Sequence, residues 1–185
     1  MFRRTLIGLL ATTAMTATLV AGTAAAEAKA DVGVAVVTLT YSDARAGEFK
    51  DAVAAGVAVW NSNVTSVRIQ KAAAGARADI TVIADNGWPR ATLGPVRPGG
   101  SATVWFGREA VNEGYSVVRI AAHELGHSLG LPDIKPGPCS SLMSGSTGGV
   151  SCANVNPNTS ERNRVQNTYA GSLAANANTN TVVVG

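Results

Sequence analysis

Both histidines of this 185-residue chain stand four positions apart, in the run Ala122-His123-Glu124-Leu125-Gly126-His127-Ser128-Leu129-Gly130-Leu131-Pro132-Asp133. Residues four apart share one face of an α-helix, about 6 Å apart along its axis, so His123 and His127 can converge on one metal ion. The segment is therefore expected to be helical. Ser116 can cap its start, and Val117, Val118, Ile120, Ala121, Ala122, Leu125, Ser128 and Leu129 follow before Gly130 and Pro132 stop it. Glu124 lies beside the first imidazole on an adjacent face, where its carboxylate can act on a water without binding the metal.

A catalytic zinc takes three protein ligands and keeps a fourth position open. The chain has no other histidine, and beyond Glu124 its only carboxylates are Asp133 and Glu161. Gly130 can turn the chain back just past the helix and Pro132 prevents its continuation, which brings Asp133 toward the metal. Glu161 is the rival ligand, but it falls in the first turn of a predicted helix, where the helix dipole already accounts for a carboxylate. Asp133 is the preferred third ligand.

The first thirty residues differ in kind. Arg3 and Arg4 precede apolar stretches at Leu6 to Leu10 and Ala14 to Val20, and small residues follow. This is the pattern of a signal peptide over residues 1–30, cut after Ala26 or Ala30, and the threonines leave no apolar run of about 20 residues to span a membrane. A secreted, extracellular protein with no membrane segment in its mature form is expected. Losing Arg3 and Arg4 from the formal charge of +3 leaves 13 basic against 12 acidic residues, with no basic run, so nucleic acid is excluded as a partner. In an oxidising compartment Cys139 and Cys152 read as one disulfide; as thiolate ligands they would lack both zinc spacing and a third partner.

The remaining pattern predicts an α+β fold in one domain over residues 31–170. Strands are expected at residues 32–40, 64–70, 79–84 and 102–106, making a twisted sheet of about four strands. A first long helix from about Ala46, capped by Ser42 or Asp43, should bury Phe49, Val53, Gly56, Val57 and Trp60. Residues 85–100 read as an irregular loop, and Val104 to Phe106 as the sheet edge above the cleft. After a Gly/Pro/Ser-rich loop from Pro136 to Pro157, Thr159 or Ser160 should cap a last helix with Val165 and Tyr169 inward. Residues 171–185 are expected to be a tail, flexible at least in part. A monomer is expected, and no inhibitor is identified.

The pattern His-Glu-x-x-His-x-x-Gly-x-x-Asp resembles the snapalysins, small neutral zinc proteases of the metzincin clan that carry Asp where most relatives carry His. The segment Cys139-Ser140-Ser141-Leu142-Met143-Ser144-Gly145 is similar to that family's methionine turn, which implies Met143 beneath the metal. Trp60-Asn61, Cys139 with Cys152, and Glu161-Arg162 agree with it, and the similarity covers about residues 37–171. The resemblance implies a zinc endopeptidase with one catalytic zinc, Glu124 as general base, protein or peptide substrates, and a preference for an aromatic residue after the scissile bond. Little chain separates the signal from the first strand, unlike the family's usual propeptide. Calcium is not carried over, because the position matching the family's acidic residue before the active helix is Ser116. A secreted zinc-binding module without catalysis, or a zinc amidase on a non-protein amide, are the competing readings.

Overall fold

The computed structural model describes residues 36–179, the last eight of them by backbone alone. The signal peptide with its cut sites, the first four residues expected in the first strand, and residues 180–185 lie outside the described residues.

Five strands form one sheet: β1 (Val37–Arg45), β2 (Val67–Lys71), β3 (Ile80–Asp85), β4 (Arg90–Ala91) and β5 (Ala102–Gly107), in the order β2-β1-β3-β5-β4. All pairings are parallel except β4 with β5. The strand residues alternate, so that Leu39, Ile69, Ile80, Val82, Val104 and Phe106 bury one face while Thr38, Thr81, Thr103 and Trp105 stay on the more open one. Helices α1 (Lys50–Asn63) and α3 (Val117–Ser128) complete the core with the buried face, and α2 (Arg108–Asn112) is a short turn of helix after β5. The α+β expectation holds, with one strand more than expected. The extra strand has only two residues inside a Pro/Gly-rich stretch, too short to show any period. Because β4 adds on outside β5, Val104 to Phe106 are interior and β4 is the edge.

Neither Ser42 nor Asp43 caps the first helix. Both belong to β1, which runs on to Arg45, and the chain enters α1 through a short 3-10 turn, Gly47–Phe49. Asp43 instead pairs with Lys71 at 2.7 Å. At its far end α1 is tied to the outer strand β2, since the Asn61 side chain donates to and accepts from the Ile69 backbone at 2.8 Å each way. The two long helices touch backbone to backbone at Gly56, where a Cβ would come within 2.8 Å of Ala121 Cβ and 2.9 Å of Ala122 N. Trp60, fully buried, donates its indole N–H to Ala122 O at 2.8 Å.

Helix α4 (Thr159–Thr179) turns Val165 and Tyr169 fully inward, and the Tyr169 hydroxyl donates to Val96 O at 2.8 Å. Its cap is Asn158 and not Thr159 or Ser160: Asn158 Oδ1 accepts from Glu161 N at 3.0 Å while Glu161 Oε2 accepts from Asn158 N at 2.6 Å, a capping box. The helix continues to Thr179, past the point where a tail is expected, through Leu173, Ala174 and Ala175, all good helix formers. No helix among the described residues is long and apolar enough to cross a membrane.

Candidate metal centre

Helix α3 carries the two histidines, and its ends are set by local chemistry. Ser116 Oγ accepts from Arg119 N at the start. At the other end Gly130 adopts φ +98°, Leu131 N donates to Gly126 O at 3.0 Å and Gly130 N to His127 O at 2.9 Å, the paired bonds of a Schellman turn. The loop before β5 closes over the same helix end: Gly94 N donates to His127 O at 2.8 Å and Val96 N to Ser128 O at 2.9 Å. No side chain fits at Gly94, where a Cβ would lie 2.0 Å from Ser128 O.

The turn after Gly130 delivers Asp133 to the imidazoles. Its Oδ1 lies 3.3 Å from His123 Nε2 and 3.5 Å from His127 Nε2, and the two Nε2 atoms are 3.1 Å apart. Ligand atoms about 2.1 Å from a tetrahedral metal would stand about 3.4 Å from one another, so this donor set fits a zinc-sized site. The tautomers agree. His123 Nδ1 faces Leu142 O at 3.0 Å and His127 Nδ1 faces Leu131 O at 2.7 Å; a carbonyl only accepts, so both Nδ1 atoms carry the hydrogen. Each Nε2 is then a bare lone pair, and two lone pairs with a carboxylate oxygen aimed at one point call for a cation. Among the described residues this is the one group of three such side chains within ligand reach of one another.

Electrostatics follow from burial and neighbours. The neighbouring His123, whose Nε2 is 3.3 Å away, and the Lys135 ammonium, 3.0 Å away, hold the Asp133 carboxyl well below the usual range. Burial, with the neighbouring His123, lowers the His127 imidazole. Glu124 is 4% exposed and burial pushes it up to about 7. Its Oε2 is buried without a hydrogen-bond partner among the described residues, and Glu124 is one of the residues that line the cleft. A carboxyl lining the same cleft as the two histidines and Asp133, with its affinity for a proton raised by burial, is suited to take a proton from a water placed there. The cleft, of about 340 Å³, has Arg90 and Ala91 of β4 along one side and Trp88, Leu93, Tyr115 and Ile120 as its apolar wall.

Met143 is fully buried directly under α3: a Cβ on Gly126 would come within 2.8 Å of its sulfur. Its carbonyl accepts from Ile134 N at 2.8 Å, which anchors the residue next to Asp133. Cys139 and Cys152 are bridged, with Cα atoms 5.5 Å apart. Glu161 is not brought to the metal donors. It is buried at the turn around Met143, accepting from Ser141 Oγ, Leu142 N and Met143 N.

Two residues carry more of this site than their sequence positions suggested. Arg119, one helical turn before His123, is buried, which pulls its guanidinium below the usual value. It donates to Ser141 O at 2.7 Å, Ser144 Oγ at 2.9 Å and Asn154 O. An Arg four residues before a ligand, on the inward face of an apolar stripe, was the available signal. Lys135 was readable only through its closeness to Asp133 in sequence.

The sequence pattern of the Streptomyces extracellular neutral proteinase (M7) family matches residues 36–172. The Extracellular small neutral protease of Streptomyces coelicolor is 39% identical over 145 residues, which are 78% of this chain and 65% of that protein. That of Streptomyces caespitosus is 38% identical over 134 residues, 72% of this chain and 98% of that protein. The chain thus spans just under two thirds of the first relative and nearly all of the second. High choriolytic enzyme 1, a hatching enzyme zinc-protease from the medaka Oryzias latipes, superposes with a TM-score of 0.40 at 22% identity, covering 53% of this chain and 46% of that one. A likeness that loose carries no argument about the site.

Proposed function

The chain belongs to the Streptomyces extracellular neutral proteinase family, and on that premise we propose that it is a secreted zinc endopeptidase. Its one zinc is held by His123, His127 and Asp133, and Glu124 is the general base. The observation that carries the reading is the pair of Nε2 lone pairs 3.1 Å apart, each fixed by an Nδ1–H bond to a carbonyl and both facing Asp133. Zinc bound there would supply Lewis acidity toward a peptide carbonyl and an attacking water. Glu124 takes the proton of that water on its carboxylate and returns it to the departing amine. The backbone of β4, open on its outer side, pairs with an extended substrate and aligns it along the cleft. The apolar wall of Leu93, Tyr115 and Ile120 suits the aromatic residue that the family preference puts after the scissile bond. Met143 supports α3 from below. The protein works outside the cell as a monomer on protein or peptide substrates.

The test is metal content and casein turnover measured on the same signal-free protein, wild type and Glu124→Gln. One zinc per chain in both is expected, with turnover in Glu124→Gln lower by at least about a hundredfold. Wild-type turnover in Glu124→Gln would remove Glu124 as base. A zinc-loaded wild type that cuts no peptide would favour a binding module, and one that cuts only small non-protein amides would favour an amidase.

A further inference from the structure

Glu161, the rival ligand in the sequence, is 2% exposed and accepts four hydrogen bonds: Ser141 Oγ at 2.6 Å, Leu142 N at 3.2 Å, Met143 N at 2.9 Å and Asn158 N at 2.6 Å. The capping box needs only the last of these. The other three run into residues 141–143, and one has a direct continuation to the metal donors. Met143 N–H and Leu142 C=O belong to the same peptide group, and that carbonyl accepts the Nδ1–H of His123 at 3.0 Å. Carboxylate, peptide and imidazole therefore form one hydrogen-bonded line ending on the Nε2 that faces Asp133. His127 has no such line, because the peptide whose carbonyl it meets, between Leu131 and Pro132, has no N–H to polarise.

We propose that Glu161 is a positioning residue for the metal, acting on His123 through the peptide between Leu142 and Met143. Its negative charge draws on the Met143 N–H, makes the Leu142 carbonyl a stronger acceptor, and so fixes the His123 tautomer and enriches Nε2 as a ligand. Ligating histidines commonly give their second N–H to a carboxylate, and here a peptide group is interposed between the two. Arg119 balances the charge from the opposite side: its short bond goes to Ser141 O, and only a 3.4 Å contact reaches Leu142 O. The carbonyl thus remains available to His123.

The inference rests on the zinc reading above, and the experiment separates the two. Zinc affinity by chelator competition and the melting midpoint of the metal-free protein are measured for wild type, Glu161→Gln and Ser141→Ala. Glu161→Gln keeps the size of the side chain and loses its charge, so zinc should bind about 10- to 100-fold more weakly. Ser141→Ala removes a hydroxyl donor that competes for the same carboxylate. It should lower the midpoint yet bind zinc more tightly than wild type, and it decides the matter even if Glu161→Gln does not fold. A purely structural Glu161 predicts lower midpoints with unchanged zinc affinity in Glu161→Gln and unchanged or weaker zinc binding in Ser141→Ala, and either result overturns the relay alone. A wild type that binds no zinc overturns the metal site and the relay with it.

Discussion

Between Val37 and Gly107 the buried residues are mainly apolar side chains of parallel strands and α1, and the strand ladder carries the backbone, helped by Asp79 on Thr40 N and Asn61 on Ile69 N. Between Val117 and Tyr169 the described residues form no strand. There the buried amides and carbonyls around Met143 are met by charged side chains, Glu161 taking N–H groups and Arg119 taking carbonyls, with a disulfide closing the loop. An unpaired buried amide is costly, so a segment without a ladder needs such partners. The sheet region should therefore answer substitutions in stability alone, while the region around the metal should answer in metal affinity as well.

The largest contrast pairs a ligand with a core residue. His123→Ala, His127→Ala and Asp133→Ala should lose zinc together with at least about a hundredfold of casein turnover, since each deletes a proposed metal donor. Ile80→Ala, fully buried in β3, should cost about 2 to 5 kcal/mol in denaturant unfolding yet keep one zinc per folded molecule. Zinc retained in Asp133→Ala would move the third ligand elsewhere, and zinc lost in folded Ile80→Ala would erase the division between the regions.

A middle-sized effect is expected on reducing Cys139–Cys152. Closing a loop of this length stabilises by about 3 kcal/mol in the chain-entropy model, and neither sulfur is a ligand. Thermal unfolding should shift down while zinc stays bound, and release of zinc on reduction at constant fold would show that the bridge holds the donors directly.

The smallest expected effects come from two glycines, one on each side. Gly56→Ala drives a methyl into the α3 backbone at Ala122, which cannot yield, whereas Gly126→Ala meets side chains only, the flexible Met143 sulfur at 2.8 Å and the Trp60 ring at 3.1 Å. Both should destabilise by about 1 to 3 kcal/mol, Gly56→Ala by more. Calorimetric midpoints in the reverse order would mean that the packing beneath the metal is the more rigid of the two.

The parts of the molecule legible in the sequence are those with a period or a dense motif. Helix α3, its Ser116 cap, the Gly130 turn and the four longer strands all carry a repeated local signal. Strand β4 and helix α2 are too short to show one. The cap on α4 was misplaced by one or two positions because Asn158, Thr159 and Ser160 are all good caps, and only Glu161 three residues after Asn158 distinguishes them. The burial of Arg119 and the linkage of Glu161 to His123 depend on contacts 18 to 35 residues apart along the chain. No local pattern encodes which of two adjacent peptide groups a buried charge will meet.

The loop between β4 and β5 looks, from its two prolines and lack of period, like the most vulnerable stretch of the described chain. Its backbone is nevertheless occupied: Thr92 N is bonded to Thr103 O, Gly94 N and Val96 N to the end of α3, Val96 O to Tyr169, and Gly99 N to Asp79. Under the proposed endopeptidase function the protein shares its surroundings with copies of itself, and being cut requires several consecutive residues to lie free in another molecule's cleft. This loop offers no such run unless it first peels off the helix that carries the histidines. Self-digestion there would demand the prior collapse of the site proposed to perform it, so the fold shields its most irregular segment by making it part of the support of α3.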